Sequence, residues 1–196
     1  IPRIADAAAR FYSATSSFDL NGDARREDWH RSLDDAAKSL KDNAIDEKQR
    51  WKKAHKQLKK NLDAIVEEWR NRTITDWLHG DLHIANAMSR NGMDEGDVAL
   101  IDLAEVHAGH WVEDAVYLER LLWARPERLK SHKPVKAIAK ARKAHGLDVD
   151  KDYPRLAMIR RALLAATAPK FIKSEGSPAH LAACLNWLET SLRDLK

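Results

Sequence analysis

The chain has 196 residues, of which 44% are hydrophobic and 33% are charged. This length supports one domain with a proper hydrophobic core, and the composition excludes a disordered chain and an all-β fold dense in glycine and proline turns. The formal net charge is only +4 and charges of both signs are interleaved, which is typical of solvated helix faces, so no nucleic-acid partner is predicted.

The single cysteine, Cys184, cannot form an internal disulfide and lies in an apolar helical repeat. It is predicted to be a buried structural thiol, which favours a reducing compartment, and we therefore expect a cytoplasmic location. No apolar stretch approaches the roughly 20 residues that span a bilayer, so no membrane partner is predicted.

Residues 1–72 are predicted to be helical. A first helix covers about 2–15, and a second begins at an N-cap, Asp23, and runs to about residue 40. A long third helix is predicted from Asn43 or Asp46 to about residue 70. Its apolar residues recur every three or four positions, as one buried stripe of a helix requires: Trp51, Ala54, Leu58, Leu62, Ile65, Val66 and Trp69.

Residues 73–103 carry the predicted β structure. Residues 74–78 have the pattern of a short strand. Residues 86–89 are predicted to pair with 98–101 in a small hairpin, because the segment between them is rich in glycine and other turn residues.

Residues 104–196 return to helical periodicity, with prolines and glycines between the helices. These helices are predicted over about 112–125, 131–145, 152–168 and 178–195. All three segments together are assigned to one domain, 1–196, of a mainly α (α+β) class.

The segment from His79 to Asn86 reads His-Gly-Asp-Leu-His-Ile-Ala-Asn, and Asp102 follows sixteen residues later at the end of an apolar strand. Phosphoryl transfer needs a positioned hydroxyl and metal ions, and a loop carboxylate such as Asp81 can accept or orient the hydroxyl proton. The Asn86 amide and the Asp102 carboxylate offer the oxygen ligands that magnesium prefers. The predicted hairpin brings these two residues to neighbouring strands.

This motif, with the apolar strand that ends in Ile101-Asp102, resembles the active-site signature of the aminoglycoside phosphotransferase and choline kinase family, a branch of the protein-kinase-like fold. The segment Gly109–Asp114 resembles the Gly-x-x-x-x-Asp element of that family. The recognisable motifs cover about residues 77–120. The resemblance implies the helical C-terminal lobe of a kinase-like fold with a small catalytic β-hairpin.

The resemblance also implies roles for the motif residues. Asp81 would be the catalytic base, Asn86 and Asp102 would bind Mg²⁺ and with it the nucleotide, and His79 and His83 would hold the loop in shape. The implied enzyme is a small-molecule kinase, which moves the γ-phosphoryl group of ATP or GTP to a hydroxyl of a small-molecule acceptor.

Downstream of the motif, Asp114 would cap or brace the next helix. The sequence departs from the family pattern at two places. Ile84-Ala85 replaces the small pair, commonly Pro-Gly, that precedes the asparagine. Leu103-Ala104-Glu105 stands where the family commonly has an aromatic and a second acidic residue, so Glu105 is a candidate additional metal ligand.

A larger departure is that the nucleotide-clamping N-terminal lobe is not recognisable. Kinases of this fold cover the phosphates with a glycine-rich loop and a strand lysine, whereas no glycines here form such a loop and the region before Trp77 is predicted to be helical. The chain also begins with Ile1 rather than Met. We therefore expect the lobe to belong to the same longer chain or to a partner chain, and the 196 residues alone to be inactive.

Two other functional interpretations stay open. The first is a kinase-like binding module without catalysis. The second is a metal-dependent hydrolase, in which the His79-x-Asp81-x-His83 segment forms a zinc site with His107 and His110. Tightly bound zinc would favour the hydrolase, and exchangeable magnesium would favour the kinase.

The acceptor itself is not predicted. Trp111 follows the motif and is a candidate for lining the acceptor pocket. The lysine-rich face from Lys52 to Lys60 is predicted to be solvated, and an anionic substrate or partner is the alternative.

Overall fold

The computed structural model of the chain describes residues 1–20, 27–92, 95–173 and 177–195. It is 62% helical with two small two-stranded sheets in the described part, which confirms the predicted mainly α class. The helices are α1 (Pro2–Thr15), α2 (Trp29–Asp42), α3 (Lys48–Lys59), α4 (Leu62–Arg70), α5 (Val112–Arg120), α6 (Pro134–Ala144), α7 (Tyr153–Thr167) and α8 (Pro178–Asp194). The strands are β1 (Asp76–Leu78), β2 (Ala87–Ser89), β3 (Val98–Leu100) and β4 (His107–Gly109).

The chain divides into two compact units. The first comprises Ile1–Arg25 and Thr73–Tyr153 and contains the four strands with α1, α5 and α6; the second comprises Arg26–Arg72 and Pro154–Lys196. The residues predicted to be catalytic all belong to the first unit. The assignment of residues 1–196 to a single domain stays a prediction.

In the first unit, α1 packs against α6 and also contacts β1 and β3, and α5 packs against α6. Ala8 and Ala9 of α1 are fully buried, so small side chains let the helix approach its neighbours closely. Strands β1 and β4 pair antiparallel, with Leu78 opposite His107. Strand β4 was not predicted, because three residues of sequence His-Ala-Gly are too short to show strand periodicity.

The predicted hairpin is confirmed. Strands β2 and β3 pair antiparallel with Ala87 opposite Leu100, and the Ile101 N–H donates to the Asn86 carbonyl at 3.0 Å beyond the last strand residues. The hairpin therefore places the residue before Asp102 directly beside Asn86.

In the second unit, two predicted helix boundaries were wrong. Helix α2 is capped by Asp28, whose carboxylate accepts from the Arg31 N–H at 2.9 Å, whereas the predicted N-cap, Asp23, lies outside the described residues. The long helix predicted to end near residue 70 is two helices. Residues Lys60 and Asn61 donate their backbone N–H groups to carbonyls three residues earlier, which tightens and ends α3, and the Asn61 carbonyl then starts α4.

The apolar stripe predicted from the sequence continues across this break and forms the core of the second unit. Trp51, Leu58 and Trp69 are buried, α3 packs against α8, and α2 packs against a 3₁₀ turn at Ala168–Phe171. Cys184 of α8 is fully buried, as predicted for a structural thiol. None of the described helices is both long and apolar enough to cross a membrane.

Candidate active site

The candidate active site begins where β1 ends, at the turn His79-Gly80-Asp81. Gly80 has φ +80°, and a Cβ added there would lie 2.0 Å from the carbonyl oxygen of Glu105. Only glycine combines this left-handed conformation with so close an approach of two backbone segments. The turn therefore places Asp81 next to the 3₁₀ turn Leu103–Glu105 that follows Asp102.

The carboxylate of Asp114 braces this turn from α5. Its Oδ1 accepts from the Gly80 N–H and its Oδ2 from the His79 N–H, each at 2.9 Å, and Oδ2 also accepts from the Tyr12 hydroxyl at 2.9 Å. Asp114 lies in the first turn of α5 but its side chain is bonded to the loop and not to its own helix end, which Trp111 begins without a side-chain cap. The predicted brace is thus directed at the catalytic loop.

Burial dominates the electrostatics of this brace. Asp114 and Tyr12 are both 1% exposed. Burial raises the pKa of Asp114, while the hydrogen bonds from His79, Gly80 and Tyr12 oppose that shift. Burial, and then the charge of Asp114, raises the pKa of Tyr12 well above its ordinary value, so Tyr12 keeps its proton and remains a donor.

The imidazole of His79 joins the two segments that carry Asp81 and Asp102. Its Nδ1 accepts from the Asp81 N–H at 3.3 Å, and its Nε2–H donates to the Ile101 carbonyl at 2.9 Å. One fully buried ring thus holds the loop that carries Asp81 and the strand end that precedes Asp102.

The side chains of Asp81, His83 and Asn86 lie together. Asn86 Nδ2 donates to Asp81 Oδ2 at 3.1 Å and to the Asp81 carbonyl at 3.0 Å. His83 Nδ1 accepts from the Ala85 N–H at 3.1 Å, which leaves Nε2 as the protonated nitrogen 3.4 Å from Asp81 Oδ2. Asp81 Oδ1 has no hydrogen-bond partner among the described residues, and the Asp81 side chain as a whole is 29% exposed.

Asp102 follows the hairpin in a left-handed conformation, with φ +61° and ψ +70°. This region is uncommon for residues other than glycine and costs roughly 1–3 kcal/mol, so it indicates a local constraint. Asp102 is exposed, and its carboxylate makes no hydrogen bond within the described part of the chain. Glu105 is also exposed, one turn further along.

Comparison with known proteins agrees with this geometry. A family model described as "Phosphotransferase enzyme family" (APH) matches residues 1–175. The chain belongs to the phosphotransferase enzyme family. No curated protein and no solved structure matched in the other two comparisons. Family membership carries phosphotransferase activity in general, and kinases of this family generally use ATP and Mg²⁺.

In this phosphotransferase, Asn86 and Asp102 fit a magnesium ion. The Asn86 Nδ2 is committed to Asp81, which leaves Oδ1 as the available ligand atom, and the Asp102 carboxylate is exposed. An amide oxygen and a carboxylate oxygen on adjacent chain segments, with room for water, are the hard ligands that Mg²⁺ uses.

The zinc interpretation fits less well. Both ring nitrogens of His79 are bonded within the protein, and His110 bonds Asp150 at 2.8 Å through Nε2 and the Val112 N–H through Nδ1. Within the ranges that the structure describes, no group of three His, Cys, Asp or Glu residues could hold a metal ion. Burial lowers the pKa of His110 despite its bond to Asp150.

Trp111 is fully buried, stacked on His110 and tilted against Tyr153 at a ring distance of 5.2 Å, so it does not line an acceptor pocket. Sequence reasoning also missed Arg142, which pairs with Asp76 at 2.8 Å behind the site while both are buried. A lone arginine in a lysine-rich helix gave no signal for this.

Proposed function

We propose that the chain is the catalytic and acceptor-side part of a small-molecule kinase, which transfers the γ-phosphoryl group of ATP or GTP to a hydroxyl. The observation that carries the proposal is the Asp81 carboxylate: one oxygen accepts from Asn86, and the other has no partner among the described residues, on a side chain that is 29% exposed. A carboxylate held in this way can accept the proton of an acceptor hydroxyl that donates to the second oxygen.

The remaining residues of the loop keep this carboxylate in place. Asn86 binds both the side chain and the backbone carbonyl of Asp81, His79 accepts from the Asp81 N–H, and Asp114 accepts from the Gly80 N–H before it. Positioning of this kind is the larger part of catalysis in phosphoryl transfer, because the enzyme adds little covalent chemistry of its own.

Asn86 and Asp102 would hold Mg²⁺, with Glu105 as a candidate further ligand. When bound, the ion neutralises charge on the phosphate oxygens of the nucleotide. Neither Asn86 nor Asp102 transfers a proton in this proposal. The exposed positions of Asp102 and Glu105 leave space for water and phosphate oxygens around the ion.

Apolar side chains beside this site support a covering partner. Met88 is 57% exposed and Ile101 38% exposed, and the strand register puts them on one face of the hairpin with Ala99. We propose that a nucleotide and the lobe that clamps it cover this face, and that the lobe belongs to the same longer chain or to a partner chain. The described residues alone are then expected not to support turnover. The cytoplasmic location remains a prediction.

The test is Asp81→Asn in the complete phosphotransferase, with ADP or GDP formation measured in the presence of each candidate acceptor. We expect kcat to fall by at least about 100-fold, the lower end of what general-base catalysis contributes. Asp97→Asn is the matched control, since Asp97 is a highly exposed carboxylate on the same hairpin. Undiminished transfer by the Asp81 variant would exclude a catalytic base at this position and favour the non-catalytic binding module.

A further inference from the structure

The second unit contains a cleft that the phosphotransferase site does not use. It has a volume of about 600 Å³ and lies between α3, the first turns of α4, and the ends of α7 and α8. Small-molecule sites in proteins typically measure about 300–1,000 Å³. All the residues that line it belong to the second unit.

Cationic side chains line the cleft: Lys53 and Lys56 of α3, Lys60 directly after α3, and Arg155 of α7. The carboxylate among the lining residues, Glu68, is taken up by Arg155 in a two-pronged ion pair of 2.6 and 2.9 Å. The cleft therefore carries a positive charge that its own residues do not neutralise.

Lys59 of α3 pairs with Asp34 at 2.9 Å, whereas Lys56 and Lys60 make no hydrogen bond or ion pair with any residue that the structure describes. Like charges three or four positions apart on a helix repel each other. An anion in the cleft would relieve that repulsion.

Four apolar residues also line the cleft: Ala64, which is exposed, Ile65 and Leu192, which are buried, and Leu195, which is half-buried. A simple inorganic anion would satisfy the lysines and leave these apolar side chains uncovered, whereas an anion with an apolar body would contact both.

We propose that this cleft binds a small organic phosphate, in which the phosphate meets Lys56 and Lys60 and an apolar group contacts Ile65 and Leu192. The size of the cleft, its unneutralised charge and its apolar lining residues point to the same ligand class. The proposal does not depend on the reaction of the first unit.

The experiment uses 1-naphthyl phosphate as the probe and isothermal titration calorimetry on the complete chain, with EDTA present. We expect the Lys56→Ala/Lys60→Ala variant to bind at least tenfold more weakly than the wild type. Lys38→Ala/Lys52→Ala is the matched control, because it removes the same charge from exposed lysines outside the cleft and should bind as the wild type does.

Three further variants locate the binding. Ala64→Glu introduces a carboxylate into the cleft and should abolish binding, whereas Ala182→Glu on exposed α8 surface should not. Asp102→Asn should leave the affinity unchanged, which separates this cleft from the phosphotransferase site. No binding by the wild type, equal losses in both double variants, or dependence on Asp102 would each overturn the proposal.

Discussion

Tyr12→Phe removes a single hydroxyl from the brace of the catalytic loop. The hydroxyl donates to Asp114 Oδ2 at 2.9 Å, and both residues are buried. A hydrogen bond to a charged group contributes about 1.5–3 kcal/mol, and the lost donor is not replaced by water at so closed a position. For a chain of this size each kcal/mol moves Tm by about 2–4 °C, so we expect Tm to fall by roughly 3–12 °C.

The pH dependence of this loss follows from Asp114. Because burial raises its folded-state pKa, its contribution to stability is present below the ordinary Asp pKa and is lost as pH rises through the raised value. The Tyr12 hydrogen bond opposes that rise in pKa. The destabilisation by Tyr12→Phe should therefore be largest near neutral pH, where the carboxylate is charged, and should shrink as the pH is lowered through the pKa of Asp114.

The assays are thermal unfolding for the shift in Tm and urea unfolding at several pH values for its pH dependence, with Tyr153→Phe as the control. Tyr153 is half-buried, and its hydroxyl makes no hydrogen bond with a described residue, so its loss should cost little. A double-mutant cycle with Asp114→Asn should show a coupling of about 0.5–3 kcal/mol. Equal effects of the two tyrosine variants, or zero coupling, would refute the role of Tyr12.

Three other predictions concern stability and are measured by urea unfolding. Gly80→Ala should lower the free energy of unfolding by about 2–5 kcal/mol, because it puts alanine in a left-handed conformation and against a backbone carbonyl. Gly146→Ala, at φ +72° with open space around it, should lower it by only about 1–2 kcal/mol. Equal losses would contradict the close approach at Gly80. Arg142→Leu should lower the free energy of unfolding by about 3–5 kcal/mol, because it leaves the buried Asp76 carboxylate without its partner. Arg155→Leu, which breaks an exposed ion pair, should lower it by no more than about 1 kcal/mol. A small effect of Arg142→Leu would contradict the pairing. Burial lowers the pKa of His55, so the stability that depends on its neutral form is present above about pH 6.5 and is lost as the pH falls. His55→Gln should therefore reduce the loss of stability on acidification. An unchanged pH dependence would exclude His55 as its source.

The catalytic segment and its hairpin could be predicted from the sequence because both are local. The loop motif occupies eight consecutive residues, and the pairing that brings Asn86 next to Ile101 spans one short hairpin. Strand β4 and the Asp76–Arg142 pair could not be predicted in this way. The pair joins residues 66 positions apart, and the strand takes its conformation from its partner β1 rather than from its own three residues.

Helix ends were misplaced for a related reason. The break between α3 and α4 keeps the apolar stripe in register, so the periodicity carries no trace of it. Only the backbone bonds of Lys60 and Asn61 to carbonyls three residues back reveal where α3 ends.

The Asp81 and Asp102 carboxylates differ in how firmly the protein holds them, and the roles proposed for the two residues explain the difference. Asp81 lies on a turn fixed by Asp114 and His79, which suits the base proposed for this position, because a displacement of about 1 Å can cost about 100-fold in rate. Asp102 has an exposed carboxylate on a left-handed backbone that only its surroundings can maintain. Those surroundings are the bonds of Ile101 to Asn86 and to the His79 ring. The same imidazole therefore holds the proposed base in place and helps to maintain the left-handed backbone that presents the carboxylate proposed to bind metal.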